Sequence, residues 1–182
     1  GVRDDVQYYR DLYNLDRVEA LKGPNAMIFG RGGGGGVVNR VTKEAVFQPQ
    51  RTFTVQGGRF ANRRVTGDLD QPLNGKTAFR INGMYENSDS FRSNVGLEGT
   101  GVNPTLTFIP NDRTKITAGY EYLHDPRVAD RGITSFQGRA VLVDPTTYYG
   151  NPADSHVRAD VHLASSLVEH RIGRTTVRNR LM

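Results

Sequence analysis

From residue 46 onward, apolar and polar side chains alternate. Phe53 and Val55 oppose Thr54 and Gln56; Val65, Gly67 and Leu69 oppose Arg64, Thr66 and Asp68; Phe79, Ile81, Gly83 and Tyr85 oppose Arg80, Asn82 and Met84. The pattern returns with Leu106 and Phe108 against Asn103, Thr105 and Thr107, and with Ala118, Tyr120 and Tyr122 against Thr117, Gly119 and Glu121. Two fainter runs cover 160–170 and 175–181. A period of two signals a strand with unlike faces, and helical spacing is almost absent here. About seven strands are therefore expected across 46–182.

The connections sharpen this reading. Pro72, Asn74 and Gly75 mark one tight turn, Pro110, Asn111 and Asp112 a second, and Gly173 a third. Between them fall a connection of intermediate length, 87–101, and a very long one, 124–157. Short and long ends alternate, although the first hairpin, at 57–62, is tight where a long loop is expected. Soluble sandwiches keep their connections short, whereas transmembrane barrels have short turns on one side and long loops on the other. Strands of roughly 9–11 residues cross a bilayer, and the stronger runs approach that length. Tyr85 and Tyr122 close their strands on the apolar face beside the longer loops, where an interfacial girdle belongs. The plainer reading is aromatic packing within any sheet.

Residues 1–45 differ. The run 16–22 reads as a short strand closed by Gly23-Pro24. Asn25 can cap one helical turn through Ala26, Met27, Ile28 and Phe29. The glycine run 32–36 follows, then a second strand at 37–42.

Composition narrows the function classes. The chain has no cysteine, which excludes a disulfide framework, a thiolate metal site and a cysteine nucleophile. Mean hydropathy is −0.55, and the longest apolar runs, 26–29 and 140–143, are far below the roughly 18 residues of a spanning helix. Barrel strands escape that criterion, because only alternate residues face lipid. The net charge is +5, but the basic residues are scattered, so no nucleic-acid partner is expected.

Gly30-Arg31-Gly32-Gly33-Gly34-Gly35 matches the letters of G-x-G-x-x-G. A strand rather than a helix follows, no acid stands about 20 residues on, and no Lys-Ser/Thr completes a Walker loop. Read whole, the segment has another likeness. Asp16-Arg17-Val18-Glu19-Ala20-Leu21-Lys22-Gly23-Pro24, then Ile28-Phe29-Gly30, then Gly35-Gly36-Val37-Val38-Asn39-Arg40-Val41-Thr42-Lys43 closely resembles the end of the plug domain in TonB-dependent outer-membrane receptors. The segment from Arg131 to Arg139, with Tyr148 and Tyr149, is similar to the third external loop of the siderophore-receptor branch, the catecholate type especially.

That resemblance implies a mainly β fold: a fragment of a transmembrane antiparallel β-barrel with the C-terminal part of a small α+β plug domain. Residues 1–45 would be the plug portion and 46–182 the first barrel strands. A barrel of about 22 strands has a lumen that must be plugged, and about seven strands would leave an open edge. The sequence opens on Gly1 without a leader pattern and stops at Met182 inside an alternating run, so an internal fragment is expected.

The implied function is ferric-siderophore uptake across the outer membrane of a Gram-negative bacterium. Its partners would be the siderophore, the TonB energy-coupling complex and outer-membrane lipid. No resident cofactor is implied, iron arriving only inside the siderophore. Tyr8, Tyr9 and Arg10 would lie near the plug apex as ligand contacts, joined by Arg131 and Tyr148 from the long loop; packing of plug against wall is the bland alternative. In that loop Asp125, Asp130, Asp144 and Asp154 offset the arginines, as in any solvated loop. Lys22, and next Arg17, are candidates for a plug–barrel salt bridge, whether structural or switching. Gly23, Gly30, Gly32, Gly35 and Gly36 form the plug glycine motif. His162 and His170 share a strand face but stand about 26 Å apart, while His124 and His156 are expected in loops. No zinc spacing or nucleophile motif is present, so catalysis is not expected. Three alternatives stay open: a receptor of the same family for cobalamin or sugar, a soluble β-rich binding module, and a nucleotide-dependent enzyme.

Overall fold

A computed structural model of the chain describes residues 8–23 and 35–182. The helical turn expected at 25–29, and Gly30 and Gly32, lie outside these residues. Strands β1 (Leu15–Lys22) and β2 (Gly36–Thr42) form an antiparallel ribbon, with Val18 opposite Arg40 and Ala20 opposite Val38. The chain then lays down β3 (Gln50–Gly57), β4 (Arg63–Asn74), β5 (Thr77–Asp89), β6 (Gly96–Asn111) and β7 (Thr114–Val128). A small hairpin, β8 (Ser135–Phe136) and β9 (Arg139–Ala140), precedes β10 (His156–Ile172) and β11 (Thr175–Leu181). Strands β3 to β7, β10 and β11 make one seven-stranded antiparallel meander, each beside its predecessor in the sheet. Among the described residues there is no α-helix.

Turn lengths alternate throughout the sheet. Three connections, 75–76, 112–113 and 173–174, turn tightly at one end; the others, 58–62, 90–95 and 129–155, lie at the opposite end. The first hairpin therefore belongs on the long-loop side with five residues of its own. Three expectations need correction. The intermediate connection shrinks to 90–95, because β5 runs past Tyr85 to Asp89 and β6 begins at Gly96. Likewise β7 runs past Tyr122 to Val128, so neither tyrosine closes its strand, and His124 and His156 lie in strands. These extensions carry polar side chains on both faces. Alternation fades there while the backbone ladder continues, with Asn87 opposite Glu98 and Asp89 opposite Gly96.

Burial is inverted relative to a soluble sheet. Phe53 is 73% exposed, and Leu69, Tyr85, Leu106, Phe108 and Tyr120 are exposed as well, whereas Asp70 and Asn82 on the other face are 0% exposed and Thr107 is 1%. No second sheet covers Phe79, Ile81 and Tyr85 among the described residues. Soluble domains bury the apolar face and rarely leave so wide an apolar patch in water. Strand β10 departs from the rule: His162 pairs with Tyr122 and Asp160 with His124 on the outer face, while Val161 joins the buried cluster on the inner one. The polar face is covered by the chain's own first part, namely residues 8–14, the ribbon and residues 43–46.

Candidate functional site

The covered face is built around two charged knots. In the first, Asp11 lies under a guanidinium fork: Arg64 donates Nη1 to Oδ2 at 2.8 Å and Nη2 to Oδ1 at 2.7 Å. Arg64 also reaches Glu86 Oε2 at 2.5 Å. Asn62 and Ser88 complete the set by donating to Glu86 Oε1, at 3.2 and 3.1 Å. The Tyr13 backbone N–H donates to Asp11 Oδ1 at 2.9 Å, which fixes the turn before β1. Burial pushes the Asp11 carboxyl up, but Arg64 and the backbone N–H groups of Tyr13 and Leu12 outweigh it and hold the group below the usual carboxylate range.

The second knot stitches the exit from the ribbon to the wall. Lys43 Nζ stands 2.9 Å from Asp68 Oδ2 and donates to the Tyr13 carbonyl at 2.9 Å. Arg80 forks onto Asp68 at 2.8 and 2.7 Å and donates to the Glu44 carbonyl at 3.1 Å. Asp70 accepts from the Val46 backbone N–H at 3.0 Å, and Thr107 Oγ1 donates to the Ala45 carbonyl at 2.7 Å. Each buried charge of these two knots is thus matched and hydrogen-bonded, the condition for tolerating it out of water.

Tyr13 sits between the knots in a small apolar cluster with Met84 and Leu123, flanked by Tyr8 and Val161. Its ring lies on bare backbone at Gly101: a Cβ there would fall 2.8 Å from two ring carbons and from the hydroxyl oxygen. Gly99 similarly leaves room for the Met84 methyl, 3.2 Å from where a Cβ would stand. Burial, then the negative charges of Glu121 and Asp11, push the Tyr13 hydroxyl far up in pKa. Among the described residues that hydroxyl has no hydrogen-bond partner. A cavity of about 160 Å³ remains between ribbon and wall, lined by Arg40, Lys43, Thr105, Thr117, Glu121 and Ser165 among others.

Toward the long-loop end the groups become accessible. Tyr9 is 56% exposed, with the Arg127 guanidinium 4.4 Å from its ring centroid. Arg127 is aimed by buried Asp125, which accepts from Nε at 3.0 Å and Nη2 at 2.6 Å. The Arg10 guanidinium lies 4.1 Å over the Tyr8 ring. Tyr148 donates its hydroxyl to the Ala129 carbonyl at 3.0 Å and packs on Gly150. Arg131 is exposed in the same loop, next to Asp130, which takes Arg92 Nε at 2.8 Å. Arg92 also donates to the Thr147 carbonyl, tying the 90–95 connection to the long loop.

The structure therefore gathers Tyr8, Tyr9 and Arg10 with Arg127, and ties Tyr148 to the end of β7. The two salt-bridge candidates are placed differently. Arg17 pairs with Asp16 at 2.9 Å and Glu19 at 2.7 Å, within the exposed ribbon, and Lys22 is exposed with no ion pair to a described residue. Among the described residues, ion pairs from the first part of the chain to the wall are made by Asp11, Lys43 and Glu44, the last with Lys115 at 3.2 Å. Of the glycines, Gly23 and Gly36 hold positive φ, and a Cβ at Gly36 would fall 2.8 Å from the Leu21 carbonyl oxygen; Gly35 stands in open space. Among the described residues no three His, Asp or Glu side chains converge as a metal site.

An antiparallel meander with its apolar face outward, tight turns at one end, long loops at the other and a charged segment bound to its polar face defines a stretch of plugged outer-membrane β-barrel. No family model matches the chain. The catecholate siderophore receptor Fiu of Escherichia coli K12 is 29% identical over 195 residues, covering 98% of this chain and 26% of the receptor. Its open-form crystal structure matches with a TM-score of 0.88 at 28% identity, over 98% of this chain and 30% of that one. The siderophore receptor PiuA of Acinetobacter baumannii is 26% identical over 179 residues, covering 93% of this chain and 24% of the receptor. Its crystal structure gives a TM-score of 0.92 at 25% identity, over 99% of this chain and 27% of that one. The metal-pseudopaline receptor CntO of Pseudomonas aeruginosa PAO1 is 27% identical over 162 residues, covering 88% of this chain and 23% of the receptor. By sequence and by fold the chain is homologous to the TonB-dependent siderophore receptors, and it spans about a quarter of the length of those relatives.

Proposed function

We propose that the chain serves in an outer-membrane receptor of a Gram-negative bacterium that takes up ferric siderophore through a plugged β-barrel, energised by TonB. One observation carries this: the sheet exposes its apolar face and buries its polar face under an ion-paired segment of the same chain. Such a sheet suits lipid on one side and a plugged, hydrated lumen on the other. Its relatives are receptors rather than enzymes, and the names of Fiu and CntO specify a catecholate siderophore and a metal–pseudopaline complex. Chelated metal is the shared chemistry, and a ferric siderophore is the reading favoured here. Iron enters inside the chelate, so the chain needs no resident cofactor.

The anionic chelate would meet Tyr9 backed by Arg127, with Tyr8, Arg10, Arg131 and Tyr148 around them. Aromatic faces supply contact area at small entropic cost, and cations in a narrow mouth act through a focused field. Asp125 pre-orients Arg127, so little side-chain entropy is lost on binding. The test is ferric-siderophore binding and iron uptake by cells producing the intact receptor, wild type against Tyr9→Ala and Arg127→Ala. Losing one charge-assisted contact costs about 1.5–3 kcal/mol, so Arg127→Ala should weaken binding by about one to two orders of magnitude. Unchanged affinity at normal surface levels would overturn the proposed contacts.

A further inference from the structure

The outer face carries a feature that siderophore uptake does not use. Gly67 and Gly83 stand directly opposite each other on β4 and β5, and Phe53 on β3 stands opposite Gly67. With Leu69 and Ile81, the next pair along the same face, they form an open trough of about 380 Å³. Neither glycine is required by the fold: neither has positive φ, a Cβ at Gly67 would meet nothing within 4 Å, and one at Gly83 would make only an ordinary contact, at 3.7 Å. Glycine weakens a strand and often marks a bulge, a barrel bend or close approach of another group; no bulge interrupts the β4–β5 register at this pair. Arg51 lies at the tight-turn end of the trough, exposed, opposite Leu69, and donates to Gln71 Oε1 at 3.3 Å.

We infer that this trough binds one phosphate-headed glycerolipid of the leaflet on the tight-turn side, its acyl chain lying over Gly67 and Gly83 and its phosphate meeting Arg51. The inference rests on the barrel reading above. A flexible methylene chain fills an open apolar slot, and a cation placed where the slot meets the headgroup layer complements a phosphate. An apolar side chain from a second copy would leave that guanidinium without a counterpart.

The test uses the intact receptor, purified in detergent and titrated with phosphatidylglycerol under native mass spectrometry. The variants are the double substitution Gly67→Val with Gly83→Val, and Arg51→Gln. All should fold, because the added atoms enter open space; heat-modifiable gel mobility checks this. Wild type should hold one lipid about tenfold more tightly than either variant, the scale of one lost charge-assisted contact or a filled slot. Equal lipid retention in all three proteins would overturn the inference. So would a dimer that the double substitution disperses while lipid binding stays unchanged. Failure of every protein, wild type included, to insert into vesicles would instead overturn the barrel reading itself.

Discussion

Arg64 and Asp11 allow a quantitative test of how the first part of the chain is held to the wall. Replacing Asp11 by Ala removes two guanidinium hydrogen bonds and the acceptor of the Tyr13 N–H. It does not strand Arg64, which keeps Glu86 at 2.5 Å. The loss should therefore be that of charge-assisted hydrogen bonds, about 1.5–3 kcal/mol. Replacing Arg64 by Met is a different perturbation. It leaves two carboxylates, Asp11 and Glu86, side by side with side-chain exposures of only 7% and 16%. Breaking a buried pair that way costs about 3–5 kcal/mol. Arg64→Met should thus be the more damaging, and the double variant should be milder than the sum of its parts, since removing Asp11 relieves part of the stranded charge. Amide hydrogen exchange across residues 10–15 of the intact receptor reads these values as opening free energies. Equal costs for the two single variants would refute the assignment of Glu86 as Arg64's second partner, and strict additivity would refute the Asp11–Arg64 pair itself.

The same segment yields three more expectations. The Asp11 carboxyl is depressed in the folded state, so its contribution is complete above the unfolded pKa of about 3.9 and is lost as pH falls through the lower folded value; exchange protection of residues 10–15 should be flat from pH 7 to 5 and fall only in stronger acid, and a decline centred near pH 6 would contradict it. Gly101→Val puts a side chain where the Tyr13 ring lies, at a typical overpacking cost of about 1–3 kcal/mol; it should raise exchange at 10–15 while leaving the β5–β6 ladder protected, and unchanged protection at 10–15 would argue against the contact. Tyr13→Phe removes a buried hydroxyl that lacks a partner among the described residues, so the segment should hold equally well or tighten by about 1 kcal/mol; a clear loosening would show that the hydroxyl is hydrogen-bonded.

The sheet was largely legible in the sequence because one physical signal, alternation, marks both strand and face. Phe79, Ile81 and Tyr85 against Arg80 and Asn82 predicted which side chains would be buried, and in the inverted sense that a barrel requires. The signal failed where both faces turn polar. Asn87 and Ser88 gave no period, and Glu98-Gly99-Thr100-Gly101 resembled a loop because of its glycines. In the structure those glycines lie within a strand, where Met84 and Tyr13 need bare backbone. The site was less legible for a reason of distance along the chain. Tyr9 finds Arg127, Asp11 finds Arg64 and Lys43 finds Asp68 only through the register of the meander, which no local pattern encodes. Arg17 and Lys22, chosen by family position, carried no information about which acids would lie within reach.

The orientation of β5 tests the central claim most directly, since everything else follows from which face meets lipid. These 182 residues hold no cysteine; single cysteines are placed along 79–82 of the intact receptor, cleared of any cysteine elsewhere, reconstituted in lipid and spin-labelled. Collisional access to oxygen dissolved in the bilayer should alternate with a period of two: high at Phe79 and Ile81, low at Arg80 and Asn82, which are buried on the opposite, covered face. Uniform access, or high access to a water-soluble nickel reagent at Phe79 and Ile81, would mean that the apolar face does not meet lipid, and the barrel account would be wrong.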